Sequence, residues 1–362
     1  PSLPGMAAPP ESALSLLECR VCFERFGPAG PRRPQNLPCG HVLCSGCLCG
    51  LRRPLCPFCR RPCGPPGAAS ECRPLLQLLE LWGPAARPCP GVLAGPRQCL
   101  GGWGALRNPA GLAACAASAR LAVVHDGHTR VALFGPGGRC LREFGPRGEL
   151  RYPLGVAITP GGLVVVADGG DRALKAFDGE GRAAGAAREG LGLPWGLAVT
   201  AQGDLLVSDA EAGALFRVSS DLQQCRRVRA RLSSPRAVAV CPRSGSVAVV
   251  EHLGGPARGS TRVRVFGADM RPLGQVDTFG LDVACQAPLY ATAVAFDGEG
   301  RVLVTDVRGG AVVCLGRPEE FPTVTPLISQ GLVYPIGLAY TADDSLVVLD
   351  SGDHSIKIYG PA

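Results

Sequence analysis

From about residue 97 the chain repeats itself, and this limits its fold more than any other feature. Six segments share one template: GLAACAASARLAVVHDGHTRVALF, GVAITPGGLVVVADGGDRALKAF, GLAVTAQGDLLVSDAEAGALFRV, AVAVCPRSGSVAVVEH, AVAFDGEGRVLVTDVRGGAVVCL and GLAYTADDSLVVLDSGDHSIKIY. Short apolar runs bounded by Gly, Asp and Pro mark strands joined by tight turns. An acid closes the second strand of each copy, at Asp126, Asp168, Asp209, Glu251, Asp306 and Asp350, with spacings of 42, 41, 42, 55 and 44 residues. Strand-built repeats of roughly 40–50 residues are propeller blades. The prediction is all-β: six four-stranded blades over residues 97–362.

Ring closure is also legible. RVALF at 130–134 is followed by CLREFG at 140–145, a fourth strand, whereas the last copy ends at IKIYG with two residues left. CLGGWG at 99–104 aligns with CLREFG, so the missing strand is expected there, hiding the open edge of the ring. The six acids stand at strand ends before turns, where a carboxylate is expected to accept backbone amides rather than to bind calcium or catalyse hydrolysis. His125, His128, His252 and His354 are scattered singly and make no metal constellation. Specificity is expected where copies exceed the template, at 252–261, 281–290 and 316–323. An exposed Phe321 beside Glu319 and Glu320 is the candidate partner contact.

The first hundred residues follow different rules. They hold 12 of the 18 cysteines and carry 11 arginines against 5 glutamates, while the rest of the chain has 26 bases and 25 acids. No apolar run approaches the roughly 18 residues that span a bilayer, and PSLPGMAAPPES lacks a signal-peptide pattern. Residues 1–12 are expected to be disordered. A cytoplasmic protein is expected, with the nucleus and the endoplasmic reticulum surface as alternatives; thiols stay reduced there, so clustered cysteines mean metal rather than disulfides. Only two lysines, Lys175 and Lys357, stand beside 35 arginines, a bias of composition, and no nucleic acid partner is expected from a near-neutral repeat region.

Within residues 13–64 the ordered ligands are Cys19, Cys22, Cys39, His41, Cys44, Cys47, Cys56 and Cys59, in the pairs CRVC, CGH, CSGC and CPFC. A two-residue spacer lets both thiolates of a pair reach one tetrahedral zinc at about 2.3 Å, and eight ligands close two structural sites with no open position for water. Zinc supplies on the order of 10 kcal/mol to such small folds, so the ligands alone are explained by folding. Cys49, Cys63 and Cys72 are expected to be free thiols. Residues 65–96 combine a short helix, PLLQLLELW at 74–82, with a Pro/Gly-rich linker at 83–96. That helix is expected to pack on the zinc-binding region, with pairing to a second copy as the alternative.

The ligand order, three cysteines, a histidine and four cysteines, resembles the RING finger. The resemblance implies interleaved pairs, with Cys19, Cys22, Cys44 and Cys47 on one zinc and Cys39, His41, Cys56 and Cys59 on the other. It also implies that a ubiquitin-conjugating enzyme docks at Val21, at Leu51 on the central helix and at Pro57, and that Arg60 bridges ubiquitin and that enzyme. The blades resemble NHL repeats, although the Asn-His-Leu signature is degenerate, with Gly-Asp-Arg at 170–172 and Asp-His-Ser at 353–355. With SLLECRVCFERFG, LPWG, STRVRVF, QVDTFGL and CLGRPEEFP, the chain resembles the RING and NHL ubiquitin ligases of glycogen metabolism. That likeness implies ubiquitin transfer without a covalent intermediate on this chain, a laforin-like glycogen phosphatase as partner, and glycogen-regulating proteins as substrates. An RNA-binding regulator and a non-catalytic scaffold are the alternatives.

Overall fold

The computed structural model describes residues 19, 21–22, 26, 32–51, 54–63, 69–73, 75–76, 93, 95–115, 117–254, 259–278, 289–321 and 324–360. The chain divides into two compact units, Pro1–Gly91 and Val92–Ala362. The segment expected to be disordered, 1–12, lies outside the described residues, as does most of the helix and linker expected at 74–96. Among the described residues no helix is long and apolar enough to cross a membrane.

The first unit is a small α+β fold. Strand β1 (Pro34–Asn36) lies between β2 (Val42–Cys44) and β3 (Ser70–Glu71), and helix α1 (Ser45–Cys49) follows β2 directly. Gly40, at φ +86°, makes the turn between β1 and β2, with Leu37 N–H donating to the His41 carbonyl at 2.8 Å and Gly40 N–H to the Leu37 carbonyl at 2.8 Å. A residue bearing Cβ is strained at that φ. Cys44 caps α1, its sulfur accepting the Cys47 N–H at 3.4 Å, and Gly50 ends the helix. The core is sparse, with Phe26, Leu37, Leu43 and Cys63 buried among the ligand sulfurs. Leu75 packs against this core and the Leu76 N–H reaches the Cys72 carbonyl at 3.0 Å, which fits the expected packing; the rest of that helix is outside the described residues.

The second unit is the six-bladed propeller. Blade 1 holds Gly111–Cys115, Arg120–Val124, Thr129–Phe134 and Cys140–Pro146; blade 2 holds Pro153–Ile158, Val164–Asp168, Ala173–Phe177 and Ala183–Ala187. Blade 3 is Pro194–Val199, Leu205–Asp209, Ala214–Val218 and Cys225–Arg229; blade 4 is Pro235–Val240, Val247–His252, Thr261–Phe266 and Pro272–Asp277. Blade 5 comprises Ala291–Phe296, Val302–Asp306, Ala311–Gly316 and Thr325–Ile328. Blade 6 takes Pro335–Tyr340, Leu346–Asp350 and Ser355–Tyr359 from the end of the chain and Gln98–Gly101 from before blade 1. All are antiparallel, and the closing register is Ser355↔Gly101, Ile356↔Leu100, Lys357↔Cys99 and Ile358↔Gln98. The expected closure is therefore present, and contact with the ring begins slightly earlier, at Leu93, whose N–H donates to Leu327 in blade 5.

Middle strands such as LVVVAD are apolar on both faces because both faces of a blade are covered. Six apolar cores result, one between each pair of neighbouring blades, including Val347, Leu349 and Ile356 of blade 6 against Leu121, Val123 and Phe134 of blade 1. First strands meet around the axis at a small-residue position, Gly111, Gly155, Gly196, Ala237, Ala293 and Gly337, lining a channel cavity of about 90 Å³. A Cβ on Gly155 would stand 2.1 Å from the Trp195 carbonyl oxygen, and one on Gly196 would stand 2.2 Å from that of Arg236. The close approach of neighbouring backbones sets these glycines.

Candidate functional site

The zinc ligands assemble into two groups, and only these two could hold a metal among the described residues: Cys19, Cys22, Cys44 and Cys47, and Cys39, His41, Cys56 and Cys59. In each, the ligand atoms lie within 4.8 Å of one another. Ligands on a tetrahedral zinc should be about 3.8 Å apart for two sulfurs and about 3.5 Å for sulfur and nitrogen. Cys22 Sγ lies 3.8 Å from Cys44 Sγ, and Cys39 Sγ lies 3.5 Å from His41 Nδ1. The donor set, spacing and geometry fit two structural Zn2+ ions held by interleaved pairs.

Electrostatics point the same way. Burial opposes the Cys19 thiolate, but backbone amides of Cys22, Cys44 and Val21 outweigh it and bring the thiol down to about 7. Burial, followed by the sulfurs of Cys44, Cys22 and Cys19, pushes the Cys47 thiol strongly up. Four packed sulfurs cannot all ionise without a cation among them. In the second group a tight turn sets the last pair, with Arg60 N–H donating to the Cys56 carbonyl at 2.9 Å and Cys56 N–H to Arg61 at 2.8 Å. The Phe58 ring lies 5.2 Å from that of His41. Cys49 is exposed, while Cys63 and Cys72 are buried and belong to neither group.

Residues 18–61 match the zinc-RING finger domain family, and residues 332–359 match the NHL repeat. The E3 ubiquitin-protein ligase NHLRC1 (malin) of Rattus norvegicus is 45% identical over 96% of this chain and 94% of its own length. The Homo sapiens protein of the same name gives the same identity and coverage. The chain belongs to the NHLRC1 family. As in any RING-type E3 ubiquitin-protein ligase, its zinc sites are closed and structural, so they supply a folded platform rather than a reacting metal. The propeller resembles a gluconolactonase from Xanthomonas campestris at a TM-score of 0.54 with 15% identity, covering 72% of this chain and 86% of that one, a likeness of fold alone.

Within this NHLRC1-family RING, Val21, Pro57 and Arg60 are exposed and Leu51 is half-buried. Leu51 does not lie on the central helix as expected. Helix α1 stops at Cys49 and Gly50 caps it, which leaves Leu51 in the segment beyond, bonded back to Leu48 at 3.4 Å. Arg60 sits at φ +56°, in the left-handed region, at the exit of the last zinc turn.

In the propeller, four Asp residues of the repeated acid position accept backbone amides as expected. Asp168 takes those of Arg151, Tyr152 and Gly170 at 2.8–3.1 Å, and Asp350 takes those of Val333, Tyr334 and Gly352 at 2.8–3.0 Å. Asp209 and Asp306 do the same, and Glu251 holds only the Ser233 amide, at 2.9 Å. Asp126 departs from this pattern. The blade 1 hairpin has the same register as that of blade 2, Leu121 pairing with Phe134 as Val164 pairs with Phe177, so His125 rather than Asp126 falls at the acid position. His125 is buried and its Nδ1 accepts the Arg107 amide at 3.3 Å, while Asp126 turns outward to Arg130 and Arg147.

Phe321 also corrects an expectation. It is half-buried rather than exposed, packed on the blade 4–5 core across Gly274, where a Cβ would stand 3.0 Å from its ring. The 3-10 turn Pro318–Glu320 precedes it, with Glu319 exposed; the Glu320 side chain is outside the described residues, as are 255–258, 281–288 and 322–323 of the expected specificity loops. Sequence reasoning missed the lysines. Lys175 and Lys357 each pair with the blade acid, at 2.8 Å from Asp168 and 2.7 Å from Asp350. The shared spelling D-x-G-D-x-x-x-K at 168–175 and 350–357 carried that signal.

Proposed function

We propose that the RING holds a ubiquitin-charged conjugating enzyme at Val21, Leu51, Pro57 and Arg60, and that the propeller recruits the substrate. The observation that carries this is the pair of closed, interleaved zinc sites in a chain collinear with NHLRC1 ligases. The ubiquitin thioester is already reactive, so clamping it in one orientation suffices to bring it near a substrate amine. Lysine nitrogen adds to the thioester carbonyl, the C–N bond forms, the C–S bond breaks, and the thiolate leaves on the conjugating enzyme. Arg60 suits the bridging role because its planar fork donates to carbonyls of two partners at once. Glycogen-regulating proteins as substrates, a laforin-like glycogen phosphatase as partner and a cytoplasmic setting extend this proposal, resting on likeness to the same ligases.

The test is discharge of ubiquitin from charged conjugating enzymes to free lysine. The native chain should accelerate it, while Val21→Arg and Arg60→Ala should lower the rate at least tenfold with both zinc ions retained. Background rates with the native chain across a panel of conjugating enzymes would leave the RING as a folding element only.

A further inference from the structure

In a ubiquitin ligase every lysine of the ligase competes with substrate for the ubiquitin it helps to transfer. The 362 residues here contain two, Lys175 and Lys357, and the segments outside the described residues contain none. Both lie in third strands, of blades 2 and 6, with side chains only 12% and 7% exposed. The Lys357 ammonium donates to Asp350 Oδ2 at 2.7 Å and to the Gly331 carbonyl at 2.7 Å, and pairs with Asp353 at 2.5 Å. Lys175 repeats this, reaching Asp168 at 2.8 Å as well as Asp171 and the Glu149 carbonyl. An ammonium has three donors and no lone pair, and in both residues all three donors are engaged.

We infer that ubiquitin cannot return to either lysine of these 362 residues: both are sequestered as blade fasteners, so transfer to lysine is directed to other polypeptides. The inference rests on the ligase function proposed above. To act as an acceptor, either lysine would have to leave its carboxylates, reach solvent and lose a proton before its nitrogen adds to the thioester carbonyl and displaces the thiolate. Burial works against the Lys357 charge, but Asp350 and Asp353 outweigh it and hold the ammonium above its usual range, adding to the barrier. The 35 arginines supply positive surface charge without offering an acceptor, because guanidinium stays protonated. One consequence is practical: an assay that reads self-ubiquitination on lysine would score even a competent ligase as inactive.

The experiment uses the full chain with a conjugating enzyme that passes the discharge test, and Arg182→Lys and Arg271→Lys, whose native side chains are 77% and 86% exposed. Tryptic Gly-Gly remnants on lysine are mapped by mass spectrometry while discharge to free lysine is followed in parallel. All three proteins should discharge at equal rates. Remnants should form at positions 182 and 271 of the variants and be at least tenfold rarer at 175 and 357. Modification of Lys175 or Lys357 at a rate within threefold of the variant sites overturns the inference. Unmodified variant sites alongside active discharge overturn it too, since reach rather than burial would then be limiting. Loss of discharge itself counts against the ligase function alone; labelling of native and denatured chain with a water-soluble succinimidyl ester then decides the shielding, expected to be at least tenfold and overturned by equal labelling.

Discussion

Replacing Lys357 by methionine removes the cation from a pair that water scarcely reaches, with Lys357 7% and Asp350 0% exposed at 2.7 Å. Asp350 then keeps the amides of Val333, Tyr334 and Gly352 but loses its counter-charge. Breaking a buried pair from one side costs about 3–5 kcal/mol. The three retained amides place Lys357→Met at the lower end, about 3 kcal/mol. In a unit of this size each kcal/mol shifts the melting temperature by about 2–4 °C, giving a fall of about 6–12 °C. Calorimetry on the full chain measures it, with Arg271→Ala as control; that pair is 86% and 60% exposed and its loss should move the transition by under about 4 °C. Asp350→Asn added to Lys357→Met should recover part of the loss by removing the stranded charge. A Lys357→Met propeller melting within about 2 °C of native would refute the reasoning.

Two further outcomes follow from the same structure. Burial, then the Arg236 guanidinium, pushes His252 down to about 4 from its ordinary value of about 6.5. A base with a lowered folded pKa contributes stability that is complete above about 6.5 and lost as pH falls toward 4, so melting temperature should drop more steeply over that window in the native chain than in His252→Gln; parallel curves would remove His252 as the cause. For the metals, Cys22→Ala and Cys59→Ala should each lose one zinc equivalent by colorimetric release and disorder the first unit, while Cys49→Ala keeps both. Full retention in Cys22→Ala would break the assignment of that site.

The zinc ligands were legible because metal chemistry imposes residue type and spacing locally, and Cys-x-x-Cys pairs need no tertiary information to be recognised. The blades were legible because each turn of the template is local. Asp126 was misassigned because the position is set by strand register, not by residue type: with Leu121 opposite Phe134, His125, one residue before the acid, takes the amide-accepting position. Phe321 was misjudged because its exposure depends on Gly274, 47 residues away, leaving room for the ring. Leu51 was placed on a helix whose end Gly50 decides.

Sequence alone therefore determined the two zinc sites, the six blades and the strand that closes them, all consequences of short-range patterns repeated often enough to be unambiguous. Tertiary structure decided which face each side chain meets and what lies opposite. It turned the two lysines from a curiosity of composition into buried fasteners, because their burial and the third acceptor, a carbonyl 26 residues back in the chain, exist only when the blade has formed.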